Sequence, residues 1–126
     1  MGTNYYLQRA EPIQVRPCFH ICKRSAGWNV HFQDSSGQDF EACEIDPRPE
    51  CPEFSSVAEI RALLESGEWN LADECGRVWK GEEALKELQG LCEWNGGPRC
   101  ERPQESYLGR DYRDPEGFLF SPTWFC

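Results

Sequence analysis

The chain has 126 residues, of which 39% are hydrophobic and 28% charged, and its formal net charge is −9. That length and composition predict one folded domain spanning 1–126 and argue against an intrinsically disordered chain. The lack of an apolar run of about 18 residues argues against a membrane-spanning helix, and the acid excess argues against nucleic acid as the main ligand. The first residues lack the apolar core of a signal peptide, so a cytoplasmic protein is expected.

An alternating stretch at 18–33, CFHICKRSAGWNVHFQ, predicts a β-hairpin. A loop of even length brings its large apolar side chains to one core face, and this arrangement buries the most apolar area. That face would carry Phe19, Ile21, Trp28, Val30 and Phe32. The other face would carry Cys18, His20 and Cys22, with His31 close to His20.

The middle of the chain predicts two short helices with a hairpin turn between them at Cys75-Gly76. In SSVAEIRALLESG, Ser56 is the expected N-cap, Glu59 completes a capping box, and Gly67 ends the helix. GEEALKELQGL predicts the second helix, which is expected to stop at Gly90.

Two stretches rich in acids, proline and glycine are typical of surface insertions, at about 34–53 and about 92–106. The first is expected to contain a short strand at Asp39–Ile45. Near the end, Asp114-Pro115-Glu116-Gly117 predicts a four-residue turn and a closing hairpin. The predicted fold class is α+β, a single domain in which an antiparallel sheet built from hairpins carries two short helices.

Each insertion contains a cysteine pair with seven residues between its members, Cys43 with Cys51 and Cys92 with Cys100. The chain has eight cysteines and no Cys-x-x-Cys knuckle, which is the usual signature of structural zinc. Free or buried thiols are the favoured interpretation for a reducing compartment, and zinc or disulfides stay open as alternatives. No cofactor is expected.

Four stretches resemble a group of small bacteriophage and prophage proteins. They are the opening MGTNYYL, HICKRSAGW, ADECGRVWKGEEALKEL and YRDPEGFLFS, and together they cover about a third of the chain. The resemblance implies a phage accessory protein. Similar proteins often carry a Cys-Pro-x-Cys knuckle that suggests zinc. This chain has QRAEPIQVRPC in its place, so the resemblance does not imply a zinc site here.

A zinc site is one candidate function for the predicted hairpin, with Cys18, His20, Cys22 and His31 as ligands. Side chains two apart on a strand lie roughly 6–7 Å from each other, which makes fourfold convergence awkward. The same residues suggest a Cys–His nucleophile, with Cys18 or Cys22 beside His31. No orienting third residue or oxyanion-hole motif accompanies that pair, so no catalytic residue is assigned and a non-enzyme is expected.

A pocket for a small ligand or nucleotide is the second candidate, since aromatic side chains supply area and a lysine can meet an anion. Its predicted lining is Asn4, Tyr5, Tyr6, His20, Lys23, Ser25 and Trp28. The alternative is that the tyrosines only brace the sheet.

An acidic docking surface is the third and leading candidate. The acid excess lies in residues 34–126, which hold 21 acidic and 9 basic side chains. Complementary charge would guide the chain to a host protein with a basic surface, and an aromatic residue would anchor the contact. The predicted contact residues are Asp34, Asp39, Glu41, Glu44, Asp46, Glu50 and Trp94. The predicted function is therefore a phage-type accessory protein, a non-enzymatic protein-binding module that inhibits or modulates a host protein, such as a CRISPR interference complex.

Overall fold

The computed structural model describes residues 2–10, 19–25, 30–37, 52–94 and 112–122. Over these ranges the chain forms one seven-stranded sheet with strand order β5-β4-β1-β2-β3-β7-β6. The strands are β1 Gly2–Arg9, β2 Phe19–Ser25, β3 His31–Gln33, β4 Trp69–Asp73, β5 Val78–Trp79, β6 Tyr112–Arg113 and β7 Leu119–Ser121. The α+β class is confirmed, with one correction: β3 pairs with β7 in parallel, whereas every other described pairing is antiparallel.

Helix α1 runs from Val57 to Glu65, and the start signals in its sequence act as predicted. The Ser56 hydroxyl accepts a hydrogen bond from the Glu59 backbone N–H at 3.2 Å, and Gly67 follows the helix with a φ of 79°. The Glu59 carboxylate returns to Ser55, which lies one residue before the N-cap, at 2.9 Å from its hydroxyl. Both ends of the helix are thus set by local sequence.

Helix α2 runs from Glu82 to Cys92, so the predicted end at Gly90 is wrong. A glycine inside a helix costs only about 1 kcal/mol relative to alanine. Leu91 and Cys92 are buried beyond it, and burying such side chains offsets that cost. Packing against the sheet therefore carries the helix through its weak point.

The two predicted hairpins, β4–β5 and β6–β7, are confirmed and turn in the same way. In each, an aspartate is followed three residues later by a glycine with a φ of 93°: Asp73 with Gly76 and Asp114 with Gly117. Asp73 Oδ1 accepts from the backbone N–H groups two and four residues on, both at 2.9 Å. Asp114 Oδ1 does the same at 3.0 and 2.8 Å. The turn is thus encoded by the pattern Asp-x-x-Gly.

Asp114 also joins the second hairpin to α1. Its Oδ2 accepts a hydrogen bond of 2.9 Å from the backbone N–H of Val57, the first residue of the helix. That N–H is one of the groups that an α-helix leaves without an internal partner, and the helix N-terminus favours a negative charge. Asp114 is 6% exposed, so the bond is shielded from water.

The hydrophobic core lies between the sheet and the two helices. Strand β1, to which the sequence analysis assigned no element, is central in the sheet and contributes Tyr5 and Leu7. Each fully buried side chain of this size stabilises the fold by roughly 1.5–3 kcal/mol. The core also takes Phe19, Ile21, Cys22, Val30, Phe32, Phe54, Val57, Ile60, Leu64, Trp69, Leu71, Ala84, Leu88, Leu91, Cys92 and Phe120.

An irregularity in β2 changes which side chains face the core. Tyr5 pairs with Cys22 and Tyr6 with His20, which leaves Ile21 as an extra residue in the strand. Ile21 and Cys22 therefore both lie in the core, and the predicted placement of Cys22 beside His20 is wrong. The predicted hairpin of β2 with β3 is confirmed by the pairing of Lys23 with His31.

Candidate functional site

The face of the sheet opposite the core carries a row of polar side chains that includes Asn4, His20 and Gln33, all less than 9% exposed. His20 lies at its centre with no exposed surface. Its Nδ1 lies 2.6 Å from the Gln33 side-chain amide, and its Nε2 lies 2.9 Å from the Asn4 side-chain amide. The ring of Tyr6 meets the imidazole edge-on, with centroids 5.4 Å apart.

The His20 ring is neutral at physiological pH because burial lowers its pKa to about 4, against a smaller opposing effect of its bond to Gln33. A neutral imidazole has one N–H donor and one acceptor nitrogen. Both ring nitrogens face amide oxygens, Gln33 Oε1 and Asn4 Oδ1, so the single N–H of the neutral ring donates to one of the two. The row fixes three strands relative to one another, since Asn4, His20 and Gln33 belong to β1, β2 and β3.

The predicted ligand pocket is divided between the two faces of the sheet. Tyr5 lies in the core against Trp79, with ring centroids 5.9 Å apart, and burial raises the pKa of its hydroxyl to about 12. Asn4 and His20 are buried in the polar row, and Tyr6 and Lys23 are partly exposed. Ser25 ends β2 opposite Gly2. Trp28 lies outside the described residues.

The predicted metal ligands are likewise separated. Cys22 is fully buried in the core, where burial raises the pKa of its thiol well above the ordinary value, whereas His20 faces the other side of the sheet. His31 pairs with Lys23 at the strand end, and Cys18 lies outside the described residues. Within the described ranges, no three His, Cys, Asp or Glu side chains converge as metal ligands do. Cys22, Cys75 and Cys92 are free thiols.

Asp34, predicted to contact a partner, stabilises a loop. It is 7% exposed, its Oδ1 accepts from the Ser36 N–H at 2.9 Å and hydroxyl at 2.6 Å, and its Oδ2 accepts from the Tyr112 hydroxyl at 2.9 Å. Burial, together with the bond to Asp34, raises the pKa of Tyr112. The carboxylate of Asp34 is therefore buried and hydrogen-bonded within the fold.

Trp94 is half-buried at the end of α2 and carries the guanidinium of Arg24 over its ring, 4.7 Å from the centroid. The same guanidinium lies 5.8 Å from the Tyr5 centroid. Such contacts stabilise by about 0.5–1 kcal/mol at exposed sites. The other predicted contact residues lie outside the described part of the chain: Asp39, Glu41, Glu44, Asp46 and Glu50.

The two helices form an acidic surface that the sequence analysis did not single out. From 57 to 65 and from 82 to 93 the chain has six glutamates against one arginine and one lysine. Arg61 lies 3.5 Å from Glu116, a carboxylate outside the helices, so it is already partly neutralised. The members of this acidic helix surface are Glu59, Glu65, Glu82, Glu83, Glu87 and Glu93, of which all but the half-buried Glu87 are exposed.

Comparison with known protein families, curated proteins and solved structures found no match. None of the helices in the described part of the chain is long and apolar enough to cross a membrane. The candidate sites in the described part of the chain are therefore the polar row, the acidic helix surface and the grooves between elements.

Proposed function

We propose that this chain is a non-enzymatic protein-binding module that acts in the cytoplasm of a bacterial host. Its partner would be a host protein with a basic surface, which it inhibits or modulates. The resemblance of the sequence to phage proteins is the reason to propose a defence complex, such as CRISPR interference, as the class of target. The observation that supports the proposal is the acidic helix surface.

The acidic helix surface is suited to docking because its shape is fixed while most of its carboxylates are exposed to solvent. Val57, Ile60 and Leu64 of α1 and Leu88 of α2 are buried in the core, so the outer side of each helix is held in a constant orientation. Complementary charge accelerates encounter between proteins and disfavours wrong partners. The partly buried apolar side chains beside it can supply the anchoring contacts: Leu63, Leu85 and Trp94.

The experiment compares two double variants that change the net charge equally. Glu83→Gln/Glu87→Gln removes an i, i+4 pair of like charges from α2, so folding stability is expected to stay within about 0.5 kcal/mol. Glu53→Gln/Glu68→Gln removes two exposed carboxylates outside the helices. The unmodified chain and each variant are immobilised on a resin and incubated with host lysate. The host proteins that each one retains are then quantified across a series of salt concentrations.

The expected result is a partner that the unmodified chain and the Glu53/Glu68 variant retain equally and that the Glu83/Glu87 variant loses by about tenfold. Lys86→Glu, which adds negative charge to the same surface, should increase retention. Retention should fall as salt rises, because exposed charges are screened within about 10 Å at 0.1 M. If both double variants lose the partner equally, retention depends on net charge alone and the acidic helix surface is not a specific docking site.

A further inference from the structure

Gly90 lies on the exposed side of α2, inside the helix and two residues before its end. A glycine at such a position destabilises the folded state by about 0.5–1 kcal/mol relative to alanine. Its backbone is helical, so no positive φ requires a glycine there. A Cβ placed on Gly90 would meet nothing within 4 Å in the described part of the chain, so packing does not require a glycine either. The missing side chain leaves a gap in the outer surface of the helix.

Four side chains border this gap, because residues three and four positions apart are neighbours on a helix surface. They are Lys86, Glu87, Glu93 and Trp94, and the gap with this border is called the Gly90 notch. Glu93, the C-cap residue, keeps a right-handed helical conformation, so the border continues past the last helical residue. When two helices pack, a gap between four side chains of one helix receives a side chain of the other.

The border of the Gly90 notch favours a cation. Glu87 and Glu93 bring two carboxylates against the single ammonium of Lys86. The carboxylate of Glu93 accepts a hydrogen bond of 3.1 Å from the side-chain NH₂ group of Gln89, which holds it on the helix surface and leaves its charge in place. The last turn of α2 contains no basic residue, so the partial negative charge of the helix C-terminus is not offset within the helix.

Trp94 favours a guanidinium over an ammonium. Its ring already holds one guanidinium, that of Arg24 from β2, at 4.7 Å from the centroid. That contact fixes the indole, which is half-buried and therefore still partly accessible beside the notch. A guanidinium stacks on an aromatic ring and forms two parallel hydrogen bonds with a carboxylate, whereas an ammonium acts as a point charge. The carboxylates of Glu87 and Glu93 offset the positive charge of Arg24.

We propose that the Gly90 notch receives an arginine side chain from a basic helix of the partner protein. The guanidinium pairs with the carboxylate of Glu87 or Glu93 and lies against the indole of Trp94. The backbone of the partner helix approaches α2 closely because Gly90 has no Cβ. This inference rests on the proposed function, since it places the centre of docking at one point of the acidic helix surface.

The test is an NMR titration of the ¹⁵N-labelled full chain at constant ionic strength. The probes are three alanine-rich helical peptides that carry arginine, lysine or glutamine at every fourth position. The arginine peptide should shift the backbone amide of Gly90 and the indole N–H of Trp94 in a saturable way, and it should bind about threefold more tightly than the lysine peptide. The glutamine peptide should not bind. Equal binding of the arginine and lysine peptides, or binding that leaves these two signals unmoved, overturns the proposal.

Variants that fill the notch without changing the charge separate it from general attraction. Gly90→Leu should keep or raise the melting temperature, because the position has open space, and should weaken binding of the arginine peptide about tenfold. If Gly90→Leu does not fold, Gly90→Ala should stabilise the fold and weaken binding about threefold. Ala62→Leu adds bulk at an exposed position of α1 and should leave binding unchanged. Equal weakening by Gly90→Leu and Ala62→Leu would contradict the notch.

The same peptide separates failure of the notch from failure of the proposed function. If Glu83→Gln/Glu87→Gln abolishes binding and Gly90→Leu leaves it unchanged, the acidic helix surface docks by charge and the notch has no role. If neither variant changes binding, the acidic helix surface is not the docking site and both proposals are wrong.

Discussion

The bond between the Asp114 carboxylate and the start of α1 leads to a sharp prediction for Asp114→Asn. The asparagine can still accept the two turn bonds through its oxygen, but its NH₂ group would then face the Val57 N–H, so two donors meet. The charge-assisted bond is worth about 1.5–3 kcal/mol, and a carboxylate near a helix N-terminus adds about 0.3–1 kcal/mol. We expect a loss of about 2–4 kcal/mol in the free energy of unfolding.

Asp73→Asn is the matched control, since Asp73 forms the same turn and is equally buried at 6% exposed. Its carboxylate makes no bond to a helix in the described part of the chain, so the substitution should cost at most about 1 kcal/mol. Urea denaturation followed by circular dichroism gives the free energy of unfolding of both variants. In thermal unfolding, the melting temperature of the Asp114 variant should be about 10 °C below that of the unmodified chain. Equal losses for the two variants would show that the bond to α1 contributes nothing.

Three further predictions concern pH, backbone and thiols. His20 stays neutral in the folded protein down to about pH 4, whereas in the unfolded chain it is protonated below about pH 6.5. The free energy of unfolding should therefore be highest above pH 6.5 and fall by about 3 kcal/mol as the pH is lowered towards 4. In the His20→Gln variant this dependence of the unfolding free energy on pH should disappear. An unchanged dependence would show that it arises from other titratable groups. Gly90→Ala should stabilise by about 0.5–1 kcal/mol, since the helix position has open space, while Gly117→Ala, at a φ of 93°, should destabilise by about 1–2 kcal/mol in denaturation measurements. A chelator or a reductant should leave the melting curve unchanged, because the core is apolar and its described thiols are free. If either reagent alone unfolds the protein, the remaining cysteines must hold the fold together through a metal or a disulfide.

The features that the sequence predicted are those set by a few neighbouring residues. The capping of α1 by Ser56 and Glu59 and the two Asp-x-x-Gly turns depend on side chains bonding to backbone within four residues. Such signals can be read without knowing what lies elsewhere in the chain.

The features that escaped prediction depend on contacts between distant segments. The extra residue Ile21 exists because β2 must match β1, and the continuation of α2 past Gly90 depends on the core beneath it. The acidic helix surface combines residues of α1 and α2, whose proximity follows from the contact between the two helices.

The parallel pairing of β3 with β7 has a consequence for biosynthesis. It joins Phe32 to Phe120, whose stacked rings lie 5.2 Å apart, across about 70% of the length of the chain. Closing so large a loop carries an entropic penalty that is offset only once the final hairpin exists. Until residues 112–121 have been synthesised, β3 would present its unpaired backbone as an open sheet edge, and a chaperone or another nascent chain could bind there first.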